Sequence, residues 1–207
     1  MTNQADVCPY RNPELPVEER VEDLLSRMTL DEKIAQTLTV PGFKYYERVS
    51  DHEVRVSDKL IQLYKEFPGA SLGSWSRADW YSGRNWTNGL TPELLPVWFN
   101  TVQKYAVEHT RLGIPLLLDG GSIHGIFALG GTVLPTGIGL ASTWNRDLIK
   151  RAFECVADEI MSYTVDGCHA SGPTQDLARD PRWSRVEETF GEDPYLSAEL
   201  SVAFCEG

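Results

Sequence analysis

IPLLLDGGSIHG, residues 114–125, decides how the chain is read. Its first six residues are a short, continuous apolar run closed by Asp119. A strand buried on both faces looks like this, because in a parallel sheet each face meets packed neighbours. Asp119, Ser122 and His124 then follow among glycines, so the strand hands polar groups to its carboxyl end. Upstream, helical spacing runs from Pro92 to Thr110, with Leu94, Leu95, Trp98, Val102, Tyr105 and Ala106 as the buried stripe. Gly113 closes that helix. Downstream, Asn145 is placed to cap a long helix reaching Tyr163, with Ile149, Ala152, Phe153, Val156 and Ile160 on one side. Asp166-Gly167 breaks it, and a weaker strand follows near Cys168 to Gly172. Asp193 and Pro194 are then the N-cap and first position of a last helix.

Nearer the amino terminus, Pro16 to Arg27 has helical periodicity, and Thr29 with Glu32 stands at capping-box spacing for a second short helix. Leu60 to Phe67 is also helical. SLGSWSRADWYSGRNWTNGL, from Ser71 to Leu90, reads as a long ordered loop whose tryptophans either stack on a ligand or fill a gap against the body. GGTVLPTGIG has the wrong glycine spacing for a phosphate loop, and reads as a turn followed by a packed segment. Strands alternating with helices, with polar clusters just after each strand, predict a parallel α/β fold. In (β/α)8 barrels such post-strand positions form the active-site face. A whole barrel takes about 250 residues, and three or four strand–helix units are readable here. The expectation is therefore a partial (β/α)8, TIM-type barrel over 16–207, preceded by an amino-terminal arm over 1–15.

Composition narrows the function. The 207 residues are 42% hydrophobic and 24% charged with a net charge of -11, a balance that opposes nucleic-acid phosphates as partners. No stretch approaches a membrane span and the first twenty residues lack a signal-peptide core, so a cytoplasmic chain is expected. The Asn85-Trp86-Thr87 sequon would matter only in a secreted eukaryotic protein. Cys8, Cys155, Cys168 and Cys205 are far apart without a CxxC, which favours reduced, mostly buried thiols over a zinc site or disulfides. His52 and His109 read as surface residues and His169 as packing. No metal or organic cofactor is expected, since Walker, HExxH, GxSxG and dinucleotide patterns are missing.

The densest chemistry lies in RDPRWSRVEETFGEDPYL, Arg179 to Leu196, where Arg179, Arg182 and Arg185 are interleaved with carboxylates. Planar guanidinium forks held by acids can clamp vicinal oxygens, as sugar hydroxyls present them. They can equally form an internal ion-pair network that only shapes a loop. His124 is either a group that orients a substrate or a satisfied structural histidine.

MTLDEKIAQ, RLGIPLLLDGGSIHG, GTVLPTGIGLASTWN and above all DLARDPRWSRVEETFGEDPYL, in that order, resemble the amino-terminal domain of glycoside hydrolase family 3, the β-glucosidase and β-xylosidase family. The resemblance runs from about Val17 to Gly207 apart from the loop-like middle. It implies a (β/α)8-type barrel that binds the non-reducing terminal sugar and releases it with retention, through an aspartate nucleophile and a separate acid/base. In the family the nucleophile stands in an SDW-like motif downstream of the GEDPYL string, a Lys-His pair lies between them, and the acid/base comes from a following domain. None of these falls within the 207 residues, and the Asp79-Trp80 pair lies too far upstream to match.

Carried over residue by residue, the resemblance makes Arg185 a clamp on sugar hydroxyls, with Ser184 in place of the usual glycine before it. His124 matches the histidine of the strand-end HG motif, as a support for the subsite. The family's hydroxyl-binding acid, three residues before that histidine, is here Gly121, and Asp119 is the nearby carboxylate able to reach the same hydroxyls. Arg179, Asp180 and Arg182 belong to the network that shapes the site, with Trp183 packed beneath. The expected function is thus part of a retaining, exo-acting β-glucosidase-like hydrolase, carrying part of the sugar subsite and inactive alone. Its partners are a small carbohydrate and the remainder of the barrel with the following domain. The alternatives are a non-catalytic sugar-binding or assembly module and a truncated gene product without independent function.

Overall fold

The computed structural model describes residues 8–163 and 169–207. The described residues open with a 3-10 turn, Pro9–Arg11, and two helices, α1 (Val17–Arg27) and α2 (Leu30–Gln36). Thr29 caps α2 through the expected box: its hydroxyl accepts from Glu32 N at 3.2 Å, and the Glu32 carboxylate accepts from Thr29 N at 2.9 Å. Arg111 donates to the same carboxylate at 2.9 Å and to the Arg27 carbonyl at 2.7 Å. One half-exposed arginine thereby ties the end of α1 to the start of α2. The arm is held as well, since the Tyr10 hydroxyl donates to the Leu112 carbonyl at 2.6 Å.

Then follow β1 (Thr39–Pro41), a hairpin of β2 (Tyr46–Arg48) and β3 (Val54–Val56), α3 (Asp58–Glu66), β4 (Ser71–Gly73), α4 (Leu94–His109), β5 (Leu118–Gly121), α5 (Gly137–Ala141), α6 (Arg146–Tyr163), β6 (His169–Ser171) and α7 (Pro194–Glu206). Strands β1, β4, β5 and β6 form one parallel sheet in that spatial order, while β2 and β3 pair antiparallel outside it. Consecutive sheet strands are neighbours, each joined to the next by a helical crossover, the arrangement that parallel pairing requires. The structure is α/β with a parallel sheet, as the alternation predicts.

Packing follows the strand alternation. Leu72 lies opposite Leu118, and both are buried in a single core that also holds Trp98, Val102 and Ala106 of α4. Residues pointing the other way are different in kind: Gly73 lies opposite Asp119, and Leu117 is 72% exposed. The expected strand buried on both faces is therefore buried on one, and β5 starts at Leu118 rather than Ile114. At the carboxyl end of the chain, α6 and α7 pack together through Phe153 and Phe204, whose ring centroids are 3.7 Å apart. Asn145 Oδ1 caps α6 by accepting from Leu148 N at 3.0 Å, and Asp193 Oδ1 caps α7 by accepting from Leu196 N at 2.7 Å.

Four further readings change. Ser71–Gly73 is a strand rather than the start of the loop, because its hydrophobic signal is the single residue Leu72. The helix before the central strand ends at His109, and Gly113, at φ +61°, serves the turn beyond it. Cys155 and Cys205 are exposed, since they ride the outward faces of α6 and α7; Cys168 and the Asp166-Gly167 break lie outside the described residues. Of the loop tryptophans, Trp75 is core at 1% exposure, whereas Trp80 and Trp86 stand in solvent. Among the described residues no helix is long and apolar enough to cross a membrane.

Candidate functional site

The carboxyl ends of β1, β4 and β5 surround a cavity of about 280 Å³, lined by Pro41, Phe43, Ser74, Arg77, Tyr81 and Asp119 among others. Parallel sheets bind ligands at this end, because the crossover loops that follow the strands converge there. Asp119 reaches it from β5. Its Oδ2 accepts from Ser171 Oγ of β6 at 3.4 Å, and its backbone carbonyl accepts from Ser74 N at 2.7 Å. Its Oδ1 is buried and has no hydrogen-bond partner. An unmet buried acceptor costs about 1–3 kcal/mol, so this oxygen is a position where a ligand hydroxyl would gain. Gly73 on β4 lets β1 approach: a Cβ there would stand 2.7 Å from Thr39 Cγ2, and 3.6 Å from Asp119 Oδ2. Ser74 follows in the left-handed region at φ +49°, a strained conformation of the sort found at ligand sites, and it aims its N–H at β5.

The loop after β4 supplies a second polar group. Arg77 donates to Asp79 Oδ2 at 2.8 Å through Nε, and its guanidinium lies 4.8 Å from the Tyr81 ring centroid and 5.2 Å from that of Phe127. The cation is held between two π faces while its fork is fixed by an acid. Burial pushes the Asp79 carboxyl up, but hydrogen bonds from Arg77 and Ser82 outweigh it and hold the group below the usual carboxylate range. Asp79 thus stays ionised with both oxygens engaged, Oδ1 accepting from Ser82 N at 2.9 Å.

Arg185 sits in the loop after β6. It donates through Nε to Glu188 Oε1 at 2.8 Å and through a terminal nitrogen to Glu188 Oε2, while its side chain stays 56% exposed. The Glu188 carboxylate keeps the guanidinium charged. Asp180 binds Arg182 in the same two-pronged way, with Nε to Oδ1 at 2.9 Å, and Trp183 is half-buried. Arg179 is exposed. His124 lies in the loop after β5, its Nδ1 3.3 Å from the Leu134 carbonyl and its ring edge-on to Phe127 at 4.9 Å. These contacts hold the segment after β5 against the 132–134 strip. Among the described residues no hydrogen bond or ion pair joins Arg185, Asp119 and His124 to one another; they occupy the strand end and two separate loops on the carboxyl side of the sheet.

Sequence reasoning passed over Arg77, Ser74, Tyr81 and Ser171. The available signal was Arg77 two residues before Asp79 and flanked by Trp75 and Tyr81, an aromatic–cation pattern inside what read as a long ordered loop noted for its tryptophans alone. Gly121, where the resembling family carries an acid, faces open space, with Ser74 Oγ the nearest atom at 3.8 Å from a Cβ built there.

Residues 84–207, more than half of the chain, match the model for the glycosyl hydrolase family 3 N terminal domain. The periplasmic beta-glucosidase/beta-xylosidase of Dickeya chrysanthemi is 29% identical over 96% of this chain and 30% of its own length. The structure of a β-glucosidase from Erythrobacter marinus superposes with a TM-score of 0.67 at 27% identity, over 97% of this chain and 24% of that one. A β-glucosidase from Listeria innocua in complex with glucose gives 0.59 at 29% identity, over 90% and 23%. The chain spans about a third or less of the curated relatives it matches.

Proposed function

The chain belongs to glycosyl hydrolase family 3, and on that premise we propose that it forms the opening part of a (β/α)8-type barrel in a retaining, exo-acting β-glycosidase that removes terminal β-linked glucose from glucosides or oligosaccharides. Its relatives are β-glucosidases and β-xylosidases, hydrolases of β-glycosides. The observation that carries the reading is Asp119, whose buried Oδ1 lacks a partner at the lip of a cavity at the carboxyl end of a parallel sheet.

In this reading the chain binds and orients sugar. Asp119 Oδ1 accepts a hydrogen bond from a sugar hydroxyl, Arg185 donates to ring hydroxyl oxygens with the N–H groups that Glu188 leaves free, and His124 holds the loop after β5. The covalent step of a retaining hydrolase needs a carboxylate nucleophile and an acid/base on opposite sides of the glycosidic bond. Both are supplied from outside these 207 residues. Hydroxyl binding cannot replace them, since without a nucleophile no glycosyl-enzyme intermediate forms.

Titration of the purified chain with glucose, followed by tryptophan fluorescence, tests the binding role. A saturable change that weakens in Asp119→Asn and Arg185→Ala is expected; a flat response sinks the proposal. The chain alone should release no aryl aglycone from an aryl β-glucoside above the buffer rate. Release that disappears with Arg185→Ala would overturn that part. Cytoplasmic residence belongs to the same proposal, and recovery of the chain in a periplasmic fraction would overturn it.

A further inference from the structure

A second cavity, of about 680 Å³, opens between β2, the amino-terminal turn of α3 and the 84–88 loop, away from Asp119. Its walls carry Lys44, Arg48, Lys59 and Arg84, against Glu47 and Asp58. Several of these charges cancel locally. Arg48 pairs with Asp51 at 2.6 Å, and Glu47 pairs with Arg55 at 2.7 Å. Arg84 is different, because its partners are neutral. It donates to the Phe43 carbonyl at 2.9 and 2.7 Å, to that of Tyr46 at 3.2 Å and to that of Asn88 at 3.1 Å, with its guanidinium 4.1 Å from the Tyr46 ring centroid. Its position is therefore fixed, and among the described residues it forms no ion pair.

Lys44 and Lys59 form no ion pair among the described residues. They face the same space, since both also line the adjoining cavity beside Gln62 and Glu66. The Ser57 N–H, bonded to the Tyr45 carbonyl at 2.9 Å, fixes the start of α3 against the Lys44 segment. Lys44, Lys59 and Arg84, none of them in an ion pair among the described residues, thus line one concave, polar cleft with Asp58 as the acid outside those pairs, and Glu66 stands in the adjoining cavity, in a chain whose net charge is -11. Three cations against one unpaired acid in the lining leave a local excess of positive charge, which an anion that accepts from the two ammonium groups would offset.

We infer that this cleft is an oxyanion site, taking a sulfate, phosphate or carboxylate group through Lys44 and Lys59, with Arg84 supplying fixed positive charge behind them. The site is independent of sugar cleavage and does not rest on the proposed glucosidase role.

The test is an amide chemical-shift titration of the full 207-residue chain with sodium sulfate, against sodium chloride at matched ionic strength. Saturable shifts at residues 44–48, 57–60 and 84–88 are expected with sulfate alone. Binding should weaken by at least about tenfold in the Lys44→Gln/Lys59→Gln double variant and persist in Lys44→Arg/Lys59→Arg, with far-UV circular dichroism unchanged in both because the two lysines are exposed. Glucose 6-sulfate and glucuronate form further arms. Tighter binding of either than of inorganic sulfate identifies an anionic saccharide as the ligand, and equal binding identifies the free oxyanion. Non-saturating shifts, shifts matched by chloride, or sulfate binding undiminished in the glutamine variant would overturn the inference.

Discussion

Glu188 holds Arg185 by both oxygens, accepting from Nε at 2.8 Å and from a terminal nitrogen, while its Oε2 also accepts from the Thr174 hydroxyl at 3.2 Å. The carboxylate belongs to a 3-10 turn, Val186–Glu188, whose first N-terminal neighbour is Arg185 itself. The arginine is consequently set by local chain geometry and not by the sheet. Arg185→Ala should weaken the glucose-dependent fluorescence change yet lower stability in urea unfolding little, by no more than about 0.5 kcal/mol, because exposed substitutions cost little. Glu188→Gln should weaken glucose binding while leaving a measurable response. A large loss of stability in Arg185→Ala would mean that the pair holds the loop together rather than waiting for a ligand.

Glu32 links acid sensitivity to the join between α1 and α2. The Arg111 guanidinium, aided by Thr29, holds its carboxyl below the usual range in spite of its burial. A depressed folded-state value means that the stabilisation is full above the unfolded-state value, about 4.3, and is lost as pH falls through the folded one. Glu32→Ala should cost about 2 kcal/mol at pH 7 in urea unfolding. The gap from the parent protein should narrow as pH falls below about 4.3 and on through the folded-state value, since below both values the Glu32 carboxyl is uncharged in either state. A gap constant over that range would refute the ion pair's role.

Gly137 opens α5 against the loop that carries Glu188. A Cβ at this position would stand 2.7 Å from the Glu188 carbonyl oxygen, and backbone on that side has little freedom to withdraw. Gly137→Ala should destabilise by roughly 1–3 kcal/mol and weaken glucose binding through displacement of residues 186–189. Thermal unfolding and the fluorescence titration, run on the same variant, measure both.

Gly121 predicts a gain. With Ser74 Oγ as the nearest neighbour at 3.8 Å and no left-handed φ, the position admits a side chain. Gly121→Asp should fold, stay within about 1 kcal/mol of the parent and bind glucose several-fold more tightly by adding a second hydroxyl acceptor beside Asp119. Unchanged or weaker affinity in a folded variant would remove Gly121 from the sugar subsite.

Periodic and capped elements were legible in the sequence. The Thr29–Glu32 box, the Asn145 and Asp193 caps and the Leu94–Ala106 stripe each combine a local rule with burial of one helix face, so tertiary context had nothing to override. Strands β1 to β4 were not, because each is three residues long and a period of two cannot be read from three positions. The site divided in the same way. Asp119 was visible because it ends an apolar run. Arg77 was hidden, since its meaning depends on Tyr81 and Phe127 meeting it from either side, and Phe127 lies on a loop fifty positions further along. The open face at Leu117 also could not be read, because an unbroken apolar run looks the same whether one face or two are covered.

That open face has a bearing on how the isolated chain behaves in a test tube. At one margin of the sheet, β1 ends in Pro41, which lacks an N–H and so offers an incoming strand an incomplete ladder. At the other margin, β6 (His169–Ser171) has no proline, and one strand inward Leu117, the residue before β5, is bare. Among the described residues an incoming strand therefore meets a proline-free ladder only at the β6 margin, and Leu117→Lys would remove exposed apolar surface beside the sheet.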